Sequence, residues 1–386
     1  MKNVLLIGIG GVYNYGCEAI VRGTVSILKK QHSDIAIAYA SYNYEYDKKR
    51  LADCDVHVIN RNRKKWTFRN MIRKALSLIK IKIYLPFDSF DFVVNNNFDT
   101  VFSIGGDMYT LHHDNQYNKR LPLFCEKCVK HGIDYVLWGA SVGPFDKNQD
   151  AEMFYKNHLQ KAKLIVAREF KTIEYLKTIG ITENVVFAPD PAFFVAPEIE
   201  KVNFEKSNRI AINLSPLSSL FYYSNYKEAI NEFKITIDKL LNETDYRIIF
   251  IPHVFSKTYG DNDMLFMQDI YNLIAEKSKS RVSIITDDIG FVNVKKQLIE
   301  CNYLIAARMH CAINACAANV PTLFLSYSAK AEGMANIVYG NSTNLMNLQQ
   351  FTNTTLVKST LLKNSFTNNI SDIKNFDFSN VFNRIK

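Results

Sequence analysis

Short apolar runs rich in valine and isoleucine recur along the chain, and they alternate with segments whose apolar residues have helical spacing. Continuous apolar runs are typical of parallel strands that helices cover on both faces. Strands that alternate with helices predict βαβ units. The runs lie at 3–9, 35–41, 55–59, 100–105, 134–142, 162–167, 184–188, 209–214, 246–252, 281–286, 303–307 and 321–326.

The runs fall into two groups, which predicts two doubly wound α/β domains. The segment 195–208 between the groups is polar, contains a proline and has no clear period. A length of 386 residues also suits two domains, because a domain usually has about 100–200 residues. We expect one domain over 1–197, a second over 198–340, and a tail of helices and loops over 341–386. The two domains are expected to face a cleft, with ligands at the carboxyl ends of the strands.

Composition narrows the class of protein. The chain is 47% hydrophobic and 22% charged, as folded globular proteins are, and no apolar run reaches the roughly 18 residues of a membrane-spanning helix. The formal net charge of +9 suits an anionic partner, such as nucleic acid, lipid or a phosphorylated substrate. Seven cysteines are an odd number, and the first residues do not resemble a secretory leader. We therefore expect a cytoplasmic protein without a disulfide scaffold.

A basic amphipathic insert is predicted within the first domain, at 61–85. Between Asp55 and Asp88 the sequence has nine Lys and Arg residues and no acidic residue, and the apolar residues have helical spacing. This pattern is typical of a helix that lies on an anionic membrane surface. One hypothesis is that 61–82 docks the protein at the inner face of the cell membrane. The alternative is an ordinary helix that covers the sheet.

Small and polar residues follow the first predicted strands. Asn14, Gly16 and Glu18 begin a helix, where they form either an anion site or a tight turn with a glutamate that favours the helix dipole. Gly105 and Gly106 allow the backbone to pass close to a ligand or to another strand.

Three further candidates in the first domain also follow strands. Asp107 either binds a sugar hydroxyl or caps a helix, and Ser141 lies in a run of small residues that forms either a backbone cradle or a strand-end turn. Arg168 comes directly after the run LIVA. It either binds a ligand or forms an ion pair with Glu169 or Asp190.

The second domain carries a more specific pattern. Arg308 and His310 follow a buried strand and precede a helix of small residues. Residues two apart in an extended segment point to the same side, so both side chains could face one ligand. A cation, a titratable imidazole and a helix N-terminus together favour an anion site with an acid or base. The alternative is a structural arginine and a buried histidine. His253 follows another strand, and it is either a ligand-binding residue or a structural one.

A metal site is not expected. His112, His113 and Asp114 are adjacent in a loop, and neighbouring side chains rarely converge on one ion. Cys125 and Cys128 form one CxxC motif, and no second pair completes a zinc site.

In their order and spacing these motifs resemble the polysaccharide pyruvyl transferase family over about residues 1–335. The resemblance implies a glycosyltransferase-B-like fold of two Rossmann-like domains. It also implies that the pyruvate unit of phosphoenolpyruvate is transferred to two hydroxyls of a sugar, forming a cyclic ketal. As the acceptor we expect a lipid-linked or nucleotide-linked glycan, although the sequence does not name its carrier. The matching motifs are N-x-G-x-E-A at 14–19, GGD at 105–107, G-x-S-x-G-P at 139–144, A-R-E at 167–169, DP at 190–191, PH at 252–253, R-x-H at 308–310 and V-P…Y-x-x-K ending at Lys330.

The resemblance assigns roles to these residues. Phosphoenolpyruvate carries a phosphate and a carboxylate, so Arg168 and Arg308 are the expected bidentate donors and Lys330 is a third cation. His310 is the expected acid for the methylene carbon, since histidine exchanges protons near neutral pH. Asp107 or His253 would accept hydroxyl protons. No metal or cofactor is expected besides phosphoenolpyruvate as the donor substrate.

Two other functions are open. One is a sugar-nucleotide-dependent glycosyltransferase of the same fold, with Arg308 on the nucleotide phosphates. The other is a non-catalytic protein that binds nucleic acid or an anionic glycan. We expect no nucleic acid partner, because the positive charge is concentrated in 61–82 without interleaved aromatic platforms.

Overall fold

The computed structural model describes residues 1–61, 93, 97–111, 115–199, 208–327, 329–363 and 366–385, without the side chains of 329, 330 and 363. Apart from Arg61, the predicted basic insert lies outside the described residues. His112, His113 and Asp114 lie outside them as well. None of the helices in the described ranges has the length and apolar character needed to cross a membrane.

The chain divides into two compact units. Unit 1 comprises Met1–Gly11, Val25–Asp190 and Asp377–Lys386, and unit 2 comprises Val12–Thr24 and Pro191–Phe376. The main division thus falls at 190/191, whereas the sequence predicts it at 197/198. Two short segments belong to the unit from which they are distant in sequence: Val12–Thr24 to unit 2 and Asp377–Lys386 to unit 1. Their membership depends on long-range packing, which local composition does not predict.

Unit 1 is built on a parallel sheet. Its strands are β1 (Asn3–Ile7), β2 (Ala36–Ser41), β3 (His57–Asn60), β4 (Thr100–Ile104), β5 (Asp134–Ala140), β6 (Leu164–Ala167) and β7 (Val185–Phe187). Within the described residues the strand order is β3-β2-β1-β4-β5-β6-β7. The order reverses between β1 and β4, which is the switch point where doubly wound sheets bind ligands.

Helices connect these strands as the apolar pattern predicts. They are α1 (Tyr15–Gln31), α2 (Tyr44–Arg50), α3 (Arg120–Lys130), α4 (Gln149–Leu159) and α5 (Phe170–Thr178). In α4, the side chain of Asn148 caps the helix by accepting a hydrogen bond from the N–H of Ala151 at 3.0 Å. The apolar faces of α3 and α4 contribute Phe124 and Tyr155 to the buried core of the unit.

Unit 2 repeats this architecture. Its strands are β8 (Arg209–Asn213), β9 (Arg247–Phe250), β10 (Val282–Ile284), β11 (Tyr303–Ala306), β12 (Thr322–Ser326) and β13 (Leu345–Asn347). In the part of the chain that is described they form a parallel sheet in the order β10-β9-β8-β11-β12-β13. The switch point lies between β8 and β11, where Ala306 pairs with Asn213.

Helices connect successive strands of unit 2 and also follow its last strand. They are α6 (Pro216–Ser219), α7 (Tyr226–Glu243), α8 (Asp263–Leu273), α9 (Glu276–Lys279), α10 (Phe291–Leu298), α11 (Met309–Ala317), α12 (Ala329–Tyr339), α13 (Leu348–Phe351), α14 (Thr354–Lys363) and α15 (Ile370–Lys374). The last helix, α16 (Ser379–Asn383), belongs to unit 1.

The predicted α/β class with two doubly wound sheets is confirmed. Each of the twelve predicted runs overlaps a strand among β1–β12. The strand β13 was not predicted, since the tail was expected to contain only helices and loops. It has three residues and pairs only with β12, so the surrounding sheet, and not its own short pattern, holds it in place.

The C-terminal segment contributes to the core of unit 1. The indole of Trp138 in β5 is buried, and its ring centroid lies 6.0 Å from that of Phe378 and 5.8 Å from that of Phe382. The ring of His32, at the end of α1, meets the same Phe382 edge-on at 5.7 Å. The last residues therefore cover a face of the sheet.

Replacing Phe382 by alanine should destabilise unit 1 by about 3 kcal/mol, because the change leaves a cavity against Trp138. Phe170→Ala is the matched control, since Phe170 belongs to the same unit but is 57% exposed and should cost about 1 kcal/mol or less. Urea unfolding followed by tryptophan fluorescence measures both. A loss for Phe382→Ala of no more than about 1 kcal/mol, as expected for the exposed control, would contradict a stabilising role of the C-terminal contact.

Candidate functional site

In unit 1 the buried Arg168 contacts several of the predicted site residues. Arg168 directly follows β6, and its Nη1 donates to Oδ2 of Asp190 at 2.8 Å. Its Nε and Nη2 both donate to Oγ of Ser141, at 3.1 and 3.0 Å. Of the alternatives left open by the sequence, the structure therefore shows an ion pair with Asp190. Glu169 instead accepts a hydrogen bond from the hydroxyl of Thr172.

The glycine pair beside Arg168 allows a close approach. A side chain on Gly106 would collide with the guanidinium of Arg168, and Gly105 has a φ of +118°, which favours glycine. Nη2 of Arg168 reaches Oδ1 of Asp107 at 3.5 Å. Asp107 is 65% exposed, so it is the member of this group that a ligand could reach first. Gly105, Gly106, Asp107, Ser141 and Arg168 thus form one cluster, as their positions after neighbouring strands predict.

In unit 2 a second arginine is held by two carboxylates. Arg308 follows β11, and its Nε and Nη2 donate to Oδ1 of Asp263 at 3.0 and 2.9 Å. Nη2 also donates to Oδ1 of Asp261 at 2.8 Å. Burial raises the pKa of Asp263, while the charge of Arg308 opposes that rise. For Arg308 burial lowers the pKa, but Asp263 and Asp261 outweigh it and the pKa is raised, so the guanidinium stays charged.

An asparagine that the sequence analysis missed ties these groups to the sheet. Oδ1 of Asn213, the last residue of β8, accepts a hydrogen bond from the backbone N–H of Arg308 at 2.9 Å. Its Nδ2 donates to the carbonyl of Ile251 at 2.9 Å and to Oδ2 of Asp263 at 3.3 Å. The ends of three adjacent strands are thereby joined. The signal available in the sequence is a polar residue that ends an otherwise apolar run.

The turn before α1 also belongs to unit 2. Oδ1 of Asn14 accepts a hydrogen bond from the N–H of Gly16 at 2.9 Å, which makes the tight turn that was one of the two predicted alternatives. The carboxylate of Glu18 accepts from Nε of Arg22 at 2.8 Å and from the N–H of Phe291 at 3.0 Å. The carboxylate of Glu18 is buried. Because Phe291 begins α10, this carboxylate lies at the N-terminus of that helix, where a negative charge is favourable.

Gly16 is required by the neighbouring histidine. A methyl group on Gly16 would lie 2.6 Å from Nδ1 of His310, which is closer than van der Waals contact allows. His310 lies in the first turn of α11, directly after Arg308 and Met309. The turn at Asn14 and the R-x-H segment are therefore packed against each other inside unit 2, although about 300 residues separate them in sequence.

The predicted residues thus form two groups, one in each unit. The group of unit 2 contains Asn14, Gly16, Glu18, His253, Arg308 and His310. Lys330 lies in α12, but its side chain is outside the described residues. Cys125 and Cys128 are buried free thiols, and burial raises the pKa of both. Across the described ranges, no group of three His, Cys, Asp or Glu residues could hold a metal ion.

The motif order corresponds to a known family. A family model described as "Polysaccharide pyruvyl transferase" matches residues 14–329, most of the chain, including Arg168, Arg308 and His310. The chain belongs to the polysaccharide pyruvyl transferase family. The resemblance inferred from the sequence is confirmed. No protein of curated function matches the sequence at a significant level.

Solved structures similar to this pyruvyl transferase family member show the same fold. UDP-GlcNAc 2-epimerase from Methanocaldococcus jannaschii has 15% identity and a TM-score of 0.61, with 97% of each chain covered. The Neisseria meningitidis UDP-GlcNAc 2-epimerase, bound to UDP-GlcNAc, has 11% identity and a TM-score of 0.59, with 98% of this chain and 95% of that chain covered. Anabaena Alr3699/HepE, in complex with UDP and glucose, has 12% identity and a TM-score of 0.59, with 100% and 98% covered. The predicted glycosyltransferase-B-like fold of two Rossmann-like domains is confirmed.

His253 is a buried imidazole in this transferase. Its ring meets Tyr15 and Phe291 edge-on, at centroid distances of 5.4 and 5.8 Å. Its backbone N–H donates to Oδ2 of Asp263 at 3.2 Å. Burial lowers the pKa of His253 well below its usual range, and the charges of His310 and Arg308 lower it further. The folded protein therefore holds His253 neutral.

Neutral burial of His253 predicts a loss of stability in acid. In the unfolded chain the imidazole protonates below its ordinary pKa of about 6.5, whereas in the folded chain it does not. Its contribution to stability is thus present above pH 6.5 and is lost as the pH falls, by up to about 1.4 kcal/mol per pH unit. Between pH 7.5 and 5, the melting temperature in thermal unfolding should fall less steeply for His253→Gln than for the wild type.

His158 is the comparison for this experiment, because burial lowers its pKa in unit 1 as well. His158→Gln should remove a separate share of the pH dependence, and the double variant should remove both. A His253→Gln protein with the same pH slope as the wild type would contradict the assignment.

Proposed function

We propose that this transferase moves the pyruvate unit of phosphoenolpyruvate onto two hydroxyls of a sugar in a surface-polysaccharide precursor. The products are a cyclic pyruvate ketal and phosphate. Family membership supports the pyruvyl chemistry. The observation that carries the assignment of the donor site is the Arg308 group, which we define as Arg308, His310, Asp261 and Asp263. In this group a guanidinium oriented by two carboxylates immediately precedes the helix whose first turn contains His310.

The Arg308 group is suited to an anionic donor. Arg308 is the residue that precedes the first turn of α11, and helix N-termini bind oxyanions through backbone N–H groups. Its Nη1 makes no hydrogen bond within the described part of the chain, so this amino group is available to a ligand. Asp261 is 40% exposed, and an incoming phosphate or carboxylate could displace it from Nη2. Asp263 is fully buried and would keep Arg308 in place.

The proposal gives His310, two residues beyond Arg308 in the first turn of α11, the role of exchanging protons with a donor held by Arg308. Transfer of a proton from His310 to the methylene carbon of phosphoenolpyruvate makes a methyl group and leaves an oxocarbenium-like carbon. A sugar hydroxyl attacks that carbon, and its proton returns to His310. The bond to phosphate then breaks, a second hydroxyl closes the ketal, and the second proton leaves with the phosphate.

We assign the group of unit 1 to the acceptor. Asp107 is its exposed carboxylate and accepts a long hydrogen bond from Arg168, so it could bind or deprotonate a sugar hydroxyl. Although burial lowers the pKa of Arg168, Asp190 and Asp107 raise it overall, and the residue stays charged. Its donors are directed to Ser141, Asp190 and Asp107, which favours a positioning role over direct binding of phosphate. Lys330 is kept as a proposed third cation for the donor.

A nucleotide sugar is the alternative ligand. Two of the similar structures hold UDP-GlcNAc or UDP with glucose, which favours a nucleotide carrier for the acceptor or, in the glycosyltransferase alternative, a nucleotide-sugar donor. Phosphate release discriminates between the two. The proposed reaction consumes phosphoenolpyruvate and releases phosphate, whereas a glycosyltransferase transfers the sugar of a nucleotide sugar to an acceptor hydroxyl and releases the nucleotide without any need for phosphoenolpyruvate.

Calorimetric titration with phosphoenolpyruvate tests the donor site. The wild type should bind, and Arg308→Lys should bind at least about tenfold more weakly, because lysine keeps the charge but loses the planar, bidentate donors. Arg209→Lys is the control, since Arg209 is in the same unit and its Nη1 pairs with Glu300 at 3.1 Å. Failure of the wild type to bind phosphoenolpyruvate, with binding of a nucleotide sugar, would overturn the proposal in favour of the glycosyltransferase.

His310→Gln tests the acid. Phosphoenolpyruvate affinity should stay within about threefold, whereas phosphate release in the presence of nucleotide-linked or lipid-linked glycans should fall by about 10²–10⁴. The separation of binding from turnover is the diagnostic result, because a structural role would lower both. Turnover equal to that of the wild type would remove His310 from the mechanism.

A further inference from the structure

Unit 2 contains a buried hydroxyl group that the proposed mechanism does not use. Ser215 is 1% exposed, and its Oγ makes no hydrogen bond to any residue that the structure describes. Most buried polar side chains have a partner, because an unsatisfied one has lost its hydration without compensation. The lack of a hydrogen-bond partner for the Ser215 hydroxyl is therefore unusual, and it is explained by the position of Ser215 in the sheet.

The register of the sheet places Ser215 next to Arg308. β8 and β11 are neighbours at the switch point, with Asn213 paired to Ala306. Both Ser215 and Arg308 keep extended backbone angles, at φ −129°, ψ 132° and φ −92°, ψ 120°. Two residues beyond the Asn213–Ala306 pair, Ser215 therefore lies opposite Arg308, and adjacent strands are about 4.8 Å apart.

The direction of the hydroxyl follows from the same geometry. In an extended segment, side chains two residues apart point to the same side. The side chain of Asn213 reaches the backbone N–H of Arg308 at 2.9 Å and Oδ2 of Asp263 at 3.3 Å. The hydroxyl of Ser215 is thus on the side of the sheet where the Arg308 group lies.

A helix N-terminus begins at the same edge. The helix α11 has nine residues and starts at Met309, directly after Arg308. The backbone N–H of Met309 donates to no residue in the described ranges. Such N–H groups bind oxyanions. The buried hydroxyl of Ser215 and this helix N-terminus are independent observations that favour one ligand.

The other serines of the loop do not share this property. The hydroxyls of Ser218 and Ser219 donate to the backbone carbonyl of Ser215, at 3.0 and 2.8 Å. The loop is therefore ordered by its own hydrogen bonds, and the free hydroxyl of Ser215 does not result from loose packing.

We propose that Ser215 is a substrate-binding residue whose hydroxyl donates a hydrogen bond to an oxyanion of phosphoenolpyruvate held by Arg308. The inference rests on the proposed function and names the residue that completes its donor set. The hydroxyl is unsatisfied in the free protein and becomes satisfied when the ligand binds.

Ser215→Ala gives a result that a structural serine would not give. The free protein should be as stable as the wild type or slightly more stable in thermal unfolding, because the substitution removes a polar atom that has no partner. Its affinity for phosphoenolpyruvate in calorimetric titration should fall about tenfold, since a hydrogen bond to a charged group is lost. Ser215→Cys, with a weaker donor, should have an intermediate affinity.

Ser218→Ala is the matched control. It removes the hydrogen bond to the carbonyl of Ser215, so it should lower the melting temperature and leave the affinity for phosphoenolpyruvate within about twofold. Titrations with inorganic phosphate and with pyruvate show which oxyanion Ser215 meets, since only one of them should lose affinity in Ser215→Ala.

Two failures are distinguishable. If the wild type binds phosphoenolpyruvate and Ser215→Ala binds it equally well with a lower melting temperature, the serine is structural and only this inference is overturned. If the wild type does not bind phosphoenolpyruvate, both the inference and the proposed function are overturned.

Discussion

The burial of Asp263 is the constraint on which the carboxyl edge of unit 2 depends. An unpaired carboxylate in that position would cost several kcal/mol, so hydrogen-bond donors must converge on it. Arg308, the amide of Asn213 and the backbone N–H of His253 all do so. They come from the ends of three neighbouring strands, and Arg308 is consequently fixed before any ligand arrives. If this edge binds the donor substrate as proposed, its charged groups are oriented in advance, and such preorganisation is a major source of electrostatic stabilisation in enzymes.

The two arginines that the sequence treats alike have different environments. The side chain of Arg168 is 1% exposed and directs its donors to Asp190, Ser141 and Asp107. The side chain of Arg308 is 13% exposed, and its Nη1 donates no hydrogen bond to a described residue. The first therefore supports the exposed Asp107, while the second is the better candidate for direct contact with an anionic donor.

Much of the fold and part of the candidate site could be predicted because both depend on local patterns. Apolar runs alternating with helices predict doubly wound sheets, and such sheets place the ends of their strands at one edge. Arg168, Ser141, Arg308 and His253 all follow strands and were found in this way. Asn213 and Ser215 were missed, since a single polar residue after an apolar run is too common to be informative. Asn213 meets the backbone N–H of Arg308 across the β8–β11 pair, and the register of the same pair brings Ser215 opposite Arg308.

The sequence by itself determined the fold class, the family and the residues that lie at the ends of the strands, because strand periodicity and motif order are properties of neighbouring residues. Only the tertiary structure decided which partners those residues have. It assigned Glu18 to the N-terminus of α10, Gly16 to the ring of His310 and Asp190 to Arg168. It also decided that 12–24 and the last ten residues belong to the unit distant in sequence. The reason is physical, because burial and ion pairing depend on distances in space. In a chain of 386 residues, groups that are far apart in sequence come into contact, and the local sequence around each group does not show which partner it meets.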